Sequence, residues 1–163
     1  MSKNTETKKK HQRDYFVPIV PKVPDKVTVS LEDGGFGGIL MGEPSSKQSV
    51  RFVKNHCYMP DKREMQVMRG RIAAIMHHAL GSTKVFAKKN EAVMVTLNFV
   101  FDKKKCLTTR KDIDNLQKFF FDSGEGVLYE NDKQVIKVVA TKELVDEQGD
   151  IKMAHTKFHI TKL

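Results

Sequence analysis

The sequence predicts an α+β fold, a small mixed or antiparallel sheet carrying two main helices. Three features predict it. Apolar residues recur at helical spacing over 62–80, a long apolar stretch alternates over 91–102, and shorter extended stretches broken by polar turns lie on either side. No internal repeat is visible, and 163 residues suffice for one domain with a tail.

In chain order, residues 1–14 are polar and include Lys8-Lys9-Lys10, the composition of a disordered basic tail. An N-terminal extension over 15–35 follows. Its Pro18, Pro21 and Pro24 favour an extended arm over a helix, and 26–31 alternates as a short strand with Val27, Val29 and Leu31 on one side. The main domain is then 36–163. The run Gly34-Gly35-Phe36-Gly37-Gly38 lacks the Gly-Lys-Ser/Thr of a phosphate-binding loop and reads as a flexible turn. Residues 39–41 and 49–53 are expected to pair as a β-hairpin that presents Arg51 and Lys54 beside it.

The clearest helix is 62–80. Asp61 is a candidate N-cap with Glu64 at capping-box spacing, Gly81 ends the helix, and Met65, Met68, Ile72, Ile75, Met76 and Ala79 form one face. His77 and His78 lack the His-Glu-x-x-His spacing of a metal helix and read as structural or surface residues. Over 91–102 both faces are fairly apolar, which predicts a central strand. A basic loop leads to a second helix that begins near 112–115, uses Ile113, Leu116 and Phe120 as its apolar spacing, and breaks at Ser123-Gly124-Glu125-Gly126. Residues 127–130 are extended, Asn131-Asp132-Lys133 is turn-like, and strands are expected at 135–141 and 155–161. Phe119, Phe120 and Phe121 are consecutive. Either one faces a partner, as a dimer contact or a wedge into DNA, or all three are buried between sheet and helix.

Lys and Arg number 29 against 20 Asp and Glu, a formal charge of +9. That excess favours an anionic partner, most often nucleic acid, over a merely solvated basic surface, although charge alone does not decide between them. Cys57 and Cys106 form no Cys-x-x-Cys pair, which argues against zinc and for reduced thiols. No apolar run approaches a membrane span, and the polar, basic start does not read as a secretory signal. A cytoplasmic, nucleoid-like setting without membrane association is the expectation.

The chemistry concentrates in Lys111-Asp112-Ile113-Asp114-Asn115-Leu116-Gln117-Lys118. In extended backbone, residues i and i+2 face one side, so Asp112 and Asp114 can converge; in a helix Asp114 and Lys118 share a face. Two carboxylates about 4 Å apart repel by roughly 4 kcal/mol at an effective dielectric near 20. A hard divalent cation relieves that repulsion and suits oxygen ligands. The competing reading is equally physical. Aspartates before a helix commonly cap it and favour its positive end, and by spacing alone capping is the commoner role.

These residues, with Phe121-Asp122 and Tyr129-Glu130-Asn131-Asp132-Lys133-Gln134-Val135, resemble the RusA family of Holliday junction resolvases. Gly42-Glu43-Pro44-Ser45-Ser46-Lys47 and Arg51-Phe52 resemble that family's opening segment more weakly. The resemblance covers about 36–163 and leaves the first 35 residues unaccounted for. It implies a homodimer that cuts four-way DNA junctions symmetrically with Mg²⁺, Mn²⁺ being a substitute. It also implies Asp112, Asp114 and Asp132 as metal-binding carboxylates and Lys118 as the catalytic lysine. Two departures stand out. Asn131 occupies a position where many relatives carry an acid, and Gln48-Ser49-Val50 replaces a more basic stretch.

Basic segments flank this acidic point. Lys47, Arg51, Lys54 and Arg69 on one side, and Lys103, Lys104, Lys105, Arg110 and Lys111 on the other, are the candidate DNA contacts. A Mg²⁺-dependent junction resolvase is the leading expectation. A broader debranching nuclease of a phage or virus, and a basic nucleic-acid-binding module without catalysis, are the alternatives.

Overall fold

In the computed structural model of the chain, residues 25–30, 34–47, 51–53, 56–58, 62–104 and 111–163 are described. The expected tail, the proline arm, the Asp61 cap, Lys54, Lys105 and Arg110 lie outside them. Among the described residues, seven strands and two helices occur in the order β1 (Lys26–Ser30), β2 (Gly35–Met41), β3 (Arg51–Val53), β4 (His56–Tyr58), α1 (Lys62–Leu80), β5 (Val93–Phe101), α2 (Ile113–Gly124), β6 (Val135–Leu144) and β7 (His155–Lys162). A 3-10 turn, Asp132–Gln134, leads into β6.

The main sheet is mixed and five-stranded, ordered β1-β2-β7-β5-β6. Among the described strands, β5 and β6 alone pair in parallel, and α2 makes the crossover between them, as parallel neighbours require. Strand β5 lies between β7 and β6, the central position expected for it. Val93, Val95, Leu97, Phe99 and Phe101 alternate along it into one core with Met68, Ile72, Ile75 and Met76 of α1 and Leu116, Phe119 and Phe120 of α2. The phenylalanine triplet therefore does not reach outward as a unit. Phe119 and Phe120 are buried, and Phe121 packs half-buried against the same core.

Two expectations are corrected. The expected pairing of 39–41 with 49–53 does not form. β2 is already bonded to β1 on one edge and β7 on the other, so β3 pairs with β4 instead. The glycine run is strand, not turn, from Gly35 onward. A Cβ on Gly35 would lie 2.5 Å from the Ile160 carbonyl oxygen, and one on Gly38 would lie 2.7 Å from Ile75 Cγ2. Glycine here lets β7 and α1 press directly on the backbone of β2.

One polar clamp fixes the β1–β2 end to α1. Arg71 donates to both carboxylate oxygens of Asp25, at 2.8 and 2.5 Å, and to the Met41 carbonyl at 2.7 Å, while the Met41 N–H donates to Asp25 at 2.8 Å. Forked, charge-assisted bonds of this kind are among the stronger ones. Arg71→Ala is expected to cost about 2 kcal/mol, because it strands a partly buried carboxylate. Urea unfolding will measure this, and a loss under about 0.5 kcal/mol would refute the clamp.

Candidate functional site

Helix α2 opens at Asp112, whose backbone is extended and whose carbonyl accepts the Leu116 N–H at 3.1 Å. The Asp112 side chain makes no capping hydrogen bond. The simple capping explanation for this residue therefore does not hold. Asp114, in the first turn, accepts from Lys118 Nζ at 3.1 Å across one helical turn. Both side chains are well exposed, 61% for Asp114 and 59% for Lys118. The Lys118 hydrogen bond, helped by the Asn115 N–H, holds the Asp114 carboxyl below the usual carboxylate range, against a smaller opposing effect of burial. Asp114 is thus an ionised, solvent-facing carboxylate with a cation beside it.

The flanking segments are tied to α2 at several points. The Lys47 N–H donates to the Asn115 carbonyl at 3.0 Å, and its Nζ pairs with Asp122 at 2.5 Å. Lys111 Nζ donates to the Pro44 carbonyl at 3.0 Å. Residues 44–47 therefore lie along the helix and form one wall of the site. Arg69 of α1 donates to the Asp122 and Ser123 carbonyls at 2.9 and 3.3 Å, where the last turn of α2 leaves acceptors unused. Among the candidate DNA contacts, then, Lys47, Arg69 and Lys111 already hold protein groups. Lys103 pairs with Glu147 at 3.0 Å on the surface, Lys104 is exposed, and the side chain of Arg51 lies outside the described residues.

Asp132 is elsewhere. It opens the 3-10 turn before β6, and that turn is bolted to the segment before β5. Gln134 Nε2 donates to the carbonyls of Lys88 at 2.7 Å and Glu91 at 3.0 Å. Gln134 Oε1 accepts from the N–H groups of Glu130 and Asn131 at 2.9 and 3.0 Å, and Asn131 Oδ1 accepts from the Lys133 N–H at 3.1 Å. Asn131 thus acts as the cap of a reciprocal capping box, a role that accounts for an amide at this position. The buried Tyr129 lies beneath, its hydroxyl donating to the Phe121 carbonyl at 3.0 Å. Burial, and then the charges of Asp132, Glu125 and Asp122, push its hydroxyl far above the usual tyrosine range. Asp132 therefore belongs to the end of α2 that carries Asp122 and Glu125.

The sheet register measures the separation. Val135 starts β6 opposite Val93, whereas Lys142, seven residues on, sits opposite Phe99 and reaches the Lys111 carbonyl with its Nζ at 3.1 Å. At about 3.3 Å per residue, the Asp132 turn and the Asp112–Asp114 pair lie on the order of 20 Å apart. The resemblance implied that Asp132 shares a metal site with Asp112 and Asp114; in the described structure it stands at the other end of the strand pair. A parallel crossover starts its helix at the carboxyl ends of the strands and returns to the amino end of the next strand. Among the described residues, no three His, Cys, Asp or Glu side chains group closely enough to hold a metal ion.

The pair at the carboxyl end of β5 still fits a hard cation in donor type. Both groups are carboxylates, both face solvent, and Mg²⁺ is often held by one or two carboxylates with water and phosphate completing its shell. Sequence reasoning quoted Asp122 and Gln134 only within the resemblance, without a role, and missed the mounting roles of Arg69 and Asn131. Only the Asn131-x-x-Gln134 capping-box spacing could have been read in advance.

No helix among the described residues is long and apolar enough to cross a membrane. Comparison with curated proteins gives no match. The family model for Endodeoxyribonuclease RusA matches residues 41–154, well over half of the chain, and the matched span contains Asp112, Asp114, Lys118 and Asp132. With that match added to a solvent-facing Asp-x-Asp at a helix start and a lysine one turn on, the chain belongs to the RusA endodeoxyribonuclease family.

Proposed function

We propose that this protein is a divalent-cation-dependent endonuclease that resolves four-way DNA junctions, acting in the cytoplasm as a homodimer with one cut per subunit. The observation that carries this reading is the Asp112–Asp114 pair, exposed at the start of α2 with Lys118 held against Asp114. Asp112 and Asp114 would hold the cation, Mg²⁺ by preference and Mn²⁺ as a substitute. When bound, such an ion polarises a phosphate and lowers the pKa of water.

The remaining work falls to the chain itself. Lys118 offers a cation to the phosphoryl oxygens as they gain charge, and the N–H groups at the start of α2 favour the same anion. Lys104 and the neighbouring basic residues attract the backbone and keep the phosphate over the acidic pair, so affinity is expected to fall steeply with salt. Lys47 and Lys111 act indirectly, by fixing the wall formed by 44–47.

Labelled four-way junction, fork and linear duplex, each incubated with Mg²⁺ or with EDTA, test the reading. Paired cuts confined to the junction and abolished by EDTA are the expected result. Binding without cutting in Mg²⁺ or Mn²⁺ would overturn the nuclease reading, and equal cutting of forks would replace the resolvase by a general debranching enzyme.

A further inference from the structure

Strand β6 places a cation on a side where its neighbours are apolar. Side chains alternate across a strand, so Ala140, Lys142 and Leu144 share one side of β6, and Ala140 and Leu144 pack against the core. A half-buried lysine between them must run its stem along that side and carry its ammonium group to a polar partner. The partner is a main-chain carbonyl. Lys142 Nζ donates to the Lys111 carbonyl oxygen at 3.1 Å, and that carbonyl belongs to the peptide unit that leads into Asp112. Resting on the nuclease reading above, we infer that Lys142 is a positioning residue for the cation site. It fixes the Lys111–Asp112 peptide and thereby aims the Asp112 carboxylate.

A peptide unit is planar, so a hold on the Lys111 carbonyl is also a hold on the nitrogen and Cα of Asp112. Asp112 has extended backbone, with φ −63° and ψ 142°, at the point where the chain turns into α2. Its side chain makes no capping hydrogen bond, so the direction of the carboxylate follows from that backbone. Both flanking peptides are held. The Asp112 carbonyl accepts the Leu116 N–H at 3.1 Å, and the preceding carbonyl accepts Lys142. Lys111 is gripped a second time, by its own Nζ on the Pro44 carbonyl at 3.0 Å. Strand β6 on one side and residues 44–47 on the other thus pin the residue ahead of the acidic pair. Asp114 is served differently, by the helix that carries it and by Lys118 at 3.1 Å. A charged donor suits the task, because its hydrogen bonds are roughly twice as strong as neutral ones.

Two substitutions test the inference. Lys142→Met keeps the stem and removes the donor, whereas Lys142→Arg keeps a charged donor. Loss of a group that orients a metal ligand typically costs about 10–100-fold in affinity or activity. The Met variant is therefore expected to bind Mn²⁺ about tenfold more weakly in an electron paramagnetic resonance titration, and to need about tenfold more Mg²⁺ for half-maximal junction cutting. Its urea midpoint, and its affinity for the junction in EDTA, should match the wild type. The Arg variant should recover most of both losses. Wild-type Mn²⁺ affinity in a folded Met variant overturns the inference. So does weaker junction binding in EDTA with a salt slope smaller by about one and Mn²⁺ affinity unchanged, since Lys142 would then be a phosphate contact. If Met lowers the urea midpoint, Lys142→Gln, polar but shorter, repeats the comparison with the same tenfold loss expected, on the order given above. Scoring the ion apart from the cut keeps the two readings separable. A wild-type chain that binds Mn²⁺ and cuts nothing sinks the nuclease reading, while loss in Met against recovery in Arg still decides the role of Lys142.

Discussion

Asp114→Asn is expected to lower the rate of junction cutting by about a hundredfold to a thousandfold and to leave junction binding intact or tighter. The substitution keeps size and hydrogen-bonding capacity but removes the charge that Lys118 now neutralises at 3.1 Å. It also removes an anionic oxygen from the Asp112–Asp114 pair. Because Asp114 is exposed, the fold should not notice, and the urea midpoint should match the wild type. Affinity should hold or improve, since one negative charge is gone from beneath a polyanion. Rates under single-turnover conditions and binding in EDTA separate the two effects. A variant that cuts within threefold of wild type would show that Asp114 merely pairs with Lys118.

Phe158→Ala carries the largest expected effect on stability, a loss of about 3–5 kcal/mol. Its ring meets Phe36 of β2 at a centroid distance of 6.1 Å and Phe120 of α2 at 5.4 Å. It therefore joins the sheet to the helix whose first turn carries the acidic pair. Phe158 is 1% exposed, so truncation opens a cavity that the surrounding rings cannot readily close. Against a typical stability of roughly 5–15 kcal/mol, the loss removes a large share of the total and populates the unfolded state measurably only near the low end of that range. Urea or thermal unfolding measures it, and a loss below about 1 kcal/mol would mean that the ring is not the join described here. Cutting should fall only as far as the unfolded fraction dictates, unlike the hundredfold or greater loss expected at Asp114 in a fully folded chain.

Much of the architecture could be read from periodicity. The helix expected at 62–80 coincides with α1, and Met68, Ile72, Ile75 and Met76 are buried on the face their spacing predicted. The central place of 91–102 was legible because apolar residues occupy both of its alternating sides. The glycines of 34–38 were misread, since glycine permits a turn and a close-packed strand alike. Which of the two forms depends on whether another backbone lies against it, and sequence spacing carries no such information. The hairpin at 39–53 failed for a related reason. Nothing local reveals that β7, more than a hundred residues later, has already taken the edge of β2.

The candidate site divides along the same line. By itself the sequence determined the chemistry, namely an Asp-x-Asp at a helix start, a lysine one turn later and a second acidic turn before a strand. These are relations between near neighbours, fixed by backbone geometry over a few residues. Only the tertiary structure decided where those pieces lie. Crossover α2 carries the chain from one end of the parallel pair back to the other, so Asp132 emerges far from Asp112 although only twenty positions separate them. The physical reason is that a parallel connection must travel the length of the sheet before the next strand can begin, and it takes any side chain near that strand's start along with it.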